Sequence, residues 1–246
     1  MKKYGLIGFP LGHSFSVPYF RKKFEKKGID AVYENFPIED LSRFSSLIEH
    51  ESDLEGLNVT VPFKEQVIPY LDVLSETARQ IRAVNTIRIC RKDGRVALVG
   101  HNTDLIGFRH SLKEHLQDHH RSALVLGTGG SSKAVMFVLE ELGIKFQVVS
   151  RNQGEGLITY GDLKADLIMD APLIINTTPL GMHPQTDTFP DIPYTAITSN
   201  HLLFDLVYNP AETRFLALGK EQGAKVVNGY DMLVFQAEGS WEIWNK

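Results

Sequence analysis

The chain has 246 residues, of which 43% are hydrophobic and 23% charged, a composition typical of a globular protein with room for two modest domains. Its net charge of −4 does not favour a nucleic-acid partner, and no apolar run approaches the roughly 20 residues that cross a bilayer. The single Cys90 excludes an internal disulfide and a cysteine-rich metal site. The first apolar stretch is too short and too glycine-rich for a signal peptide, so we expect a cytoplasmic protein.

The first hundred residues alternate predicted strands and helices. Strands are expected at 4–8, 31–36, 57–60, 83–89 and 95–99, and Asp93-Gly94 indicates a hairpin turn between the last two. Helices are expected at 17–27, with Ser16 as N-cap, at 41–48, from Pro62 onward and at 74–81. This alternation predicts an α/β unit that is mostly parallel with an antiparallel edge.

A second alternation follows a predicted connecting helix at 104–116. Strands are expected at 123–126, 145–150, 157–160, 173–177, 202–207 and 225–227. Helices are expected at 133–142, at 164–169 and at 230–244, the last with Leu233, Ala237, Trp241 and Trp244 on its apolar side. Six short strands with crossovers fit a doubly wound, Rossmann-like parallel sheet.

A glycine-rich turn, GTGGSS at 127–132, joins the first strand of this second half to a helix. Ser131 and Ser132 are expected to cap that helix, whose N-terminus would favour a phosphate. The Gly-Lys-Ser/Thr ending of a P-loop is absent. About 20 residues on, Ser150-Arg151 stands where an acidic residue would bind the ribose of NAD, and an arginine suits a 2′-phosphate. The alternatives are a plain glycine turn and a solvated arginine.

Two further residues have the chemistry of acid–base catalysis. Lys64 follows a predicted strand end, and Asp104 lies at the junction of the two halves. The alternative is a solvated lysine and an aspartate that caps the next helix. His115, His119 and His120 lack a companion metal-ligand motif, so we expect surface histidines and no metal site.

Nine motifs then appear in the order of one known family, and the sequence resembles the shikimate dehydrogenases along its whole length. They are GFPLGHSFS at 8–16, NVTVPFKE at 58–65, AVNTI at 83–87, HNTDLIGF at 101–108, VLGTGGSSKA at 125–134, SRN at 150–152, NTTPLGM at 176–182, DLVYNPAET at 205–213 and NGYDMLVFQA at 228–237. The resemblance implies reversible reduction of 3-dehydroshikimate to shikimate with NADPH in aromatic amino acid biosynthesis. It also implies a substrate domain of residues 1–103 and 230–246, an NADP-binding domain of residues 104–229, and a cleft between them.

The resemblance also implies a role for each matching position. Lys64 and Asp104 match the catalytic pair, and which of them is the principal proton carrier stays open. The substrate residues would be Ser14 and Ser16 for the carboxylate, Thr60, Asn85, Asp104 and Gln236 for the ring hydroxyls, and Tyr208. The cofactor residues would be Gly127, Thr128, Gly129, Gly130, Ser131, Ser150, Arg151, Asn152, Leu206 and Gly229.

Some positions depart from the family pattern. Ser150-Arg151-Asn152 replaces the usual Asn-Arg-Thr, and Tyr230-Asp231 replaces Leu-Gly near the expected nicotinamide site. Two alternatives therefore stay open: a quinate/shikimate dehydrogenase with broader substrate or NAD use, and a non-catalytic nucleotide-sensing relative. The partner is expected to be a small molecule, and the chain a monomer or homodimer.

Overall fold

A computed structural model describes residues 1–12 and 14–246 of the chain, so position 13 of the first motif lies outside the described residues. The chain divides into two compact units, Met1–Thr103 with Gln236–Lys246, and Asp104–Phe235. The boundary between Phe235 and Gln236 and the predicted boundary between residues 229 and 230 both fall near the start of the final helix. Over the described ranges, no helix has the length and apolar character needed to cross a membrane.

The first unit contains a six-stranded sheet in the order β2-β1-β3-β5-β6-β4. Its strands are β1 (Lys2–Gly8), β2 (Ala31–Pro37), β3 (Leu54–Val59), β4 (Val73–Leu74), β5 (Thr86–Lys92) and β6 (Arg95–His101). β5 pairs antiparallel with both of its neighbours, while the other pairs are parallel. The expectation of an antiparallel edge is therefore wrong, because β4 adds a parallel strand outside β6.

Two helices of the first unit begin at a residue other than the predicted one. They are α1 (Ser16–Lys27), α2 (Phe44–His50), α3 (Phe63–Gln66) and α4 (Glu76–Ile81), with short 3₁₀ turns at Leu41–Arg43 and Ile68–Tyr70. Ser16 is the first residue of α1 and not its cap, since Phe15 holds that position without a side-chain hydrogen bond. The helix expected from residue 74 begins two residues later, because Ser75 caps it by accepting from the Ala78 amide at 3.2 Å.

The final helix packs on the first sheet through its last residues. The side chain of Trp244 lies against Gly56 of β3, where a Cβ would come within 2.3 Å of the indole, and its Nε1 donates to Ile87 O at 3.0 Å. Tyr4 and Phe20 join Trp244 in one buried aromatic cluster. A glycine at position 56 is thus what lets the C-terminal helix reach the sheet.

The second unit contains a six-stranded parallel sheet in the order β12-β11-β10-β7-β8-β9. Its strands are β7 (Ser122–Leu126), β8 (Lys145–Ser150), β9 (Leu157–Thr159), β10 (Leu173–Asn176), β11 (Leu202–Asp205) and β12 (Lys225–Val227). Counted within the unit, this is the order 3-2-1-4-5-6 of doubly wound dinucleotide-binding folds. The predicted fold class is confirmed.

Helices connect these strands, although the helix predicted at 104–116 ends at Lys113 and the helix predicted from residue 133 begins at Gly130. They are α5 (Asp104–Lys113), α6 (Gly130–Glu141), α7 (Ala165–Met169) and α8 (Arg214–Glu221), and α9 (Tyr230–Trp244) follows the last strand with the predicted bounds. Every residue of β10 and β11 is buried, as expected for parallel strands covered on both faces.

One of the histidines that were expected at the surface, His120, is buried. His119 is exposed, whereas only 5% of His120 is exposed and its Nδ1 accepts from the Gln117 amide at 2.9 Å. Burial lowers the pKa of His120. Within the part of the chain that the structure describes, no group of three or more His, Cys, Asp or Glu side chains is placed to hold a metal.

Candidate active site

One edge of the first sheet gathers several of the predicted substrate residues. β1 and β3 are parallel neighbours, and the amide of Thr60 donates to Ile7 O at 2.9 Å just beyond their carboxyl ends. Asn85 precedes the antiparallel β5, so it reaches the same edge, where the Val59 amide donates to Asn85 O at 2.8 Å. The reversed direction of β5 therefore brings Asn85 beside Thr60.

The start of α1 has two features that suit an anion. The Ser14 hydroxyl is buried and has no hydrogen-bond partner among the described residues. Among the residues that the structure describes, no side chain caps α1, and the first turn, which contains Ser16, has no acidic residue. Buried hydroxyls are normally satisfied, and an uncapped helix N-terminus favours negative charge. A carboxylate fits this arrangement.

The structure brings Asn85 and Gln236 together. Asn85 is 2% exposed, its Oδ1 accepts from the Thr103 amide at 2.6 Å, and its Nδ2 donates to Gln236 Oε1 at 3.0 Å. Gln236 belongs to α9, 151 residues further along the chain. The two amides form a pair that can bond hydroxyl groups from a ligand.

The two predicted catalytic residues belong to different units. Lys64 lies in α3, directly after β3, and its carbonyl accepts from the Val84 amide at 2.7 Å, which holds α3 to the segment before β5. Asp104 is the first residue of α5 in the second unit and is 2% exposed. Asp104 thus occupies the first helical turn, where a carboxylate is favoured by the helix dipole.

Two positions of the glycine turn after β7 hold glycine for different structural reasons. Gly127 has φ +112°, and a Cβ there would lie 2.7 Å from Thr177 Oγ1, so the fold itself demands glycine. Gly129 is the N-cap of α6 in an extended conformation, and a Cβ there would meet no described atom within 4 Å. The protein leaves open space in front of Gly129, as the approach of a pyrophosphate requires.

The predicted capping by serine is wrong. α6 begins at Gly130, a turn earlier than expected, so Ser131 and Ser132 lie inside its first turn. Ser132 is fully buried, and its hydroxyl donates to Gly129 O at 2.6 Å. No side chain in the described part of the chain caps the start of α6, and backbone amides at such a terminus suit a phosphate.

The end of β8 carries the residues expected to face the ribose. Ser150 is 9% exposed, and its hydroxyl accepts from the Asn152 amide at 3.2 Å. Arg151 and Asn152 are exposed, and within the described ranges no carboxylate forms an ion pair with Arg151. An exposed guanidinium in place of an acidic side chain fits a 2′-phosphate better than a 2′-hydroxyl.

Two more predicted cofactor residues meet after β11. A Cβ at Gly229 would lie 2.2 Å from Leu206 O, and the Gly229 amide donates to Val207 O at 3.1 Å. Glycine is therefore required for this backbone approach. Tyr208 follows in the same loop and is half-buried, which raises the pKa of its phenol.

Comparison with known proteins matches this chain to one family. A family model described as the shikimate dehydrogenase substrate binding domain matches residues 6–87. The shikimate dehydrogenase (NADP(+)) of Methanococcus maripaludis is 38% identical over 262 residues, covering 99% of this chain and 91% of that protein. The chain belongs to the shikimate dehydrogenase family.

Solved structures of shikimate dehydrogenases share the fold. Shikimate dehydrogenase 1 from Peptoclostridium difficile is 37% identical, with a TM-score of 0.85, covering 100% of this chain and 92% of that one. The shikimate 5-dehydrogenase from Thermus thermophilus, solved in complex with NADP(H) and shikimate, is 32% identical with a TM-score of 0.86. That likeness covers 99% of this chain and 93% of the other.

One buried acid of this member of the shikimate dehydrogenase family was missed by sequence reasoning. Asp205, at the end of β11, is fully buried and accepts from Asn176 Nδ2 and the Val207 amide at 3.0 Å each and from Thr213 Oγ1 at 2.5 Å. Burial raises the pKa of Asp205 to about 7, and these hydrogen bonds act in the opposite direction. Asp205 thereby ties the ends of β10 and β11 to the loop that carries Leu206 and Tyr208. Its motif, DLVYNPAET, was the available signal.

Proposed function

We propose that this protein is an NADP-dependent shikimate dehydrogenase that reversibly reduces 3-dehydroshikimate to shikimate in aromatic amino acid biosynthesis. The observation that carries the proposal is the buried Ser14 hydroxyl, which has no hydrogen-bond partner among the described residues, close in sequence to the start of α1, where no described side chain forms a cap. This anion site lies within residues 6–87, which match the substrate binding domain of the family. It suits a small carboxylic acid.

The residues that would hold NADP(H) belong to the second unit. The amides at the start of α6 and the space in front of Gly129 fit the pyrophosphate, and Arg151 fits the 2′-phosphate. The contacts we assign to the cofactor come from Gly127, Thr128, Gly129, Gly130, Ser131, Ser150, Arg151, Asn152, Leu206 and Gly229. When bound, NADPH supplies the hydride for the substrate carbonyl.

The residues that would hold the substrate are neutral apart from Asp104. Ser14 and Ser16 bind the carboxylate with hydroxyls, which avoids burying an additional cation. The ring hydroxyls are assigned to Thr60, Asn85, Asp104, Tyr208 and Gln236. The hydrogen bond between Asn85 and Gln236 supports this assignment, because it holds two amides at a fixed spacing.

Proton transfer is assigned to Lys64. Reduction of a carbonyl leaves an alkoxide, and the ammonium of Lys64 stabilises that charge and donates the proton to the oxygen. In the oxidation direction the amine accepts the proton back. General acid–base catalysis of this kind contributes about 10²–10⁴-fold to the rate. Asp104, as an acceptor, fixes the orientation of a ring hydroxyl.

The assembly state and location are part of the same proposal. We place the enzyme in the cytoplasm as a monomer or homodimer that takes small molecules and no nucleic acid, consistent with its net charge of −4.

Steady-state kinetics with shikimate and quinate, each against NADP⁺ and NAD⁺, tests the function. The highest kcat/KM is expected for shikimate with NADP⁺. A strong preference for NAD⁺ would contradict the role of Arg151, and a preference for quinate would favour a quinate/shikimate dehydrogenase. Cofactor binding without turnover of either acid would favour a nucleotide sensor.

A further inference from the structure

Ser240 lies at the centre of a buried hydrogen-bond network beneath the candidate substrate site. It is fully buried on α9, one turn after Gln236, and its hydroxyl lies 2.8 Å from Asn58 Nδ2, 2.8 Å from Thr86 Oγ1 and 3.0 Å from Gln236 O. Thr103 Oγ1 is a further neighbour at 3.2 Å. The network thus joins α9 to β3, to β5 and to the segment after β6.

The hydrogen-bond partners fix the orientation of each amide in turn. The Thr103 backbone amide can only donate, so the atom of Asn85 facing it at 2.6 Å is the oxygen. Asn85 Nδ2 then donates to Gln236, whose contacting atom is therefore Oε1. The Gln236 NH₂ group remains directed away from Asn85, as a hydrogen-bond donor.

A second series of hydrogen bonds fixes the orientation of the Asn58 side-chain amide. Its Nδ2 donates to the Asn85 carbonyl at 3.2 Å, and its Oδ1 accepts from the Tyr33 hydroxyl at 2.8 Å. Asn58 therefore presents Nδ2 to Ser240, and one network extends from Tyr33 through Asn58 and Ser240 to Gln236.

We propose that Ser240 and Thr86 are positioning residues that hold Asn85 and Gln236 so that the Gln236 NH₂ group donates to a hydroxyl oxygen of the substrate. This inference rests on the proposed function, since the substrate is the small hydroxy acid named there. Neither Ser240 nor Thr86 touches the substrate. Loss of either hydroxyl leaves the remaining polar groups of the network with fewer partners, and the two amides lose their fixed orientation.

The first test is Ser240→Ala, with Ser111→Ala as its matched control. The Ser111 hydroxyl is equally buried in α5 but has no hydrogen-bond partner in the described part of the chain. Ser240→Ala is expected to raise KM for shikimate about 3- to 10-fold, the effect of one lost hydrogen bond, with KM for NADP⁺ within about twofold of wild type. Ser111→Ala is expected to keep both constants.

A second pair of variants covers the case in which Ser240→Ala does not fold. Thr86→Val removes a hydroxyl at nearly constant volume, whereas Thr86→Ser keeps it. KM for shikimate is expected to rise in the valine variant and to return toward wild type in the serine variant. A merely structural role predicts a lower melting temperature without this rescue of KM.

The outcomes separate this inference from the proposed function. Wild-type enzyme that does not oxidise shikimate with NADP⁺ contradicts the proposed function. Active wild type, together with an unchanged KM for shikimate in both Ser240→Ala and Thr86→Val, overturns the positioning role. An equal rise of KM for shikimate and for NADP⁺ also overturns it, because the residues named in the network belong to the first unit.

Discussion

The replacement of Asp205 by asparagine changes how stability depends on pH. In the folded protein burial raises the pKa of Asp205 to about 7, whereas the ordinary value of an aspartate is 3.8. Between these two pH values the folded protein keeps a proton that the unfolded chain has lost. The free energy of unfolding contributed by this group therefore falls as pH rises from about 4 to about 7.

The magnitude follows from the width of that window. Each pH unit corresponds to about 1.4 kcal/mol, so a window of about three units gives a change on the order of 4 kcal/mol. An asparagine side chain at this position would keep an oxygen for Asn176 and Val207 and has no charge to desolvate. The difference in unfolding free energy, wild type minus Asp205→Asn, should therefore decrease from pH 4 to 7 and level off above pH 7.

Urea unfolding at several pH values between about 4 and 8 measures that difference. Asp162→Asn is the control: Asp162 is exposed, and hydrogen bonds from Thr159 lower its pKa, so its contribution should be constant above about pH 5. A wild-type-minus-Asp205→Asn difference that is flat across the range, or that increases with pH, would refute a carboxyl kept protonated by burial.

Two other substitutions test the packing of the first unit and the choice of cofactor. Gly56→Ala places a Cβ against Trp244 and should lower the unfolding free energy by about 1–3 kcal/mol in urea, while Gly161→Ala, whose nearest contact would be an ordinary 3.7 Å, should be near neutral. Equal stability of the two variants would show that Trp244 does not need this space. Arg151→Gln should raise KM for NADP⁺ about 10- to 100-fold, the effect of a lost bond to a charged group, and leave KM for NAD⁺ within about threefold. An equal change for both cofactors would contradict a contact with the 2′-phosphate.

The second unit was predictable because its signals are local. Each buried strand is a short apolar run, and the glycine turn joins a strand directly to a helix, so the doubly wound fold follows from the pattern. The sheet order of the first unit was not predictable in the same way. β4 has two residues, Val73–Leu74, and its pairing with β6 depends on contacts that no local pattern indicates.

The candidate site was also predictable only where its signals are local in sequence. Motifs located Ser14, Asn85 and Gln236, since these stand in short stretches with a recognisable spacing. Sequence analysis did not find Asn58 and Ser240, which support these residues, because hydrogen-bond partners that are far apart in sequence leave no local pattern. Asn58 and Ser240 are 182 residues apart. The start of α6 was misplaced because serine is a frequent N-cap, and the extended Gly129 took that position.

The most direct test of the proposed reaction is the turnover number for shikimate with NADP⁺, measured for wild type and for Lys64→Ala beside calorimetric titration of NADP⁺. Wild type should oxidise shikimate, and Lys64→Ala should lose about 10²–10⁴-fold in kcat while its affinity for NADP⁺ stays within about twofold. Wild type that binds NADP⁺ without oxidising shikimate would contradict the proposed reaction, and a Lys64→Ala variant with wild-type kcat would contradict the role of Lys64 in it.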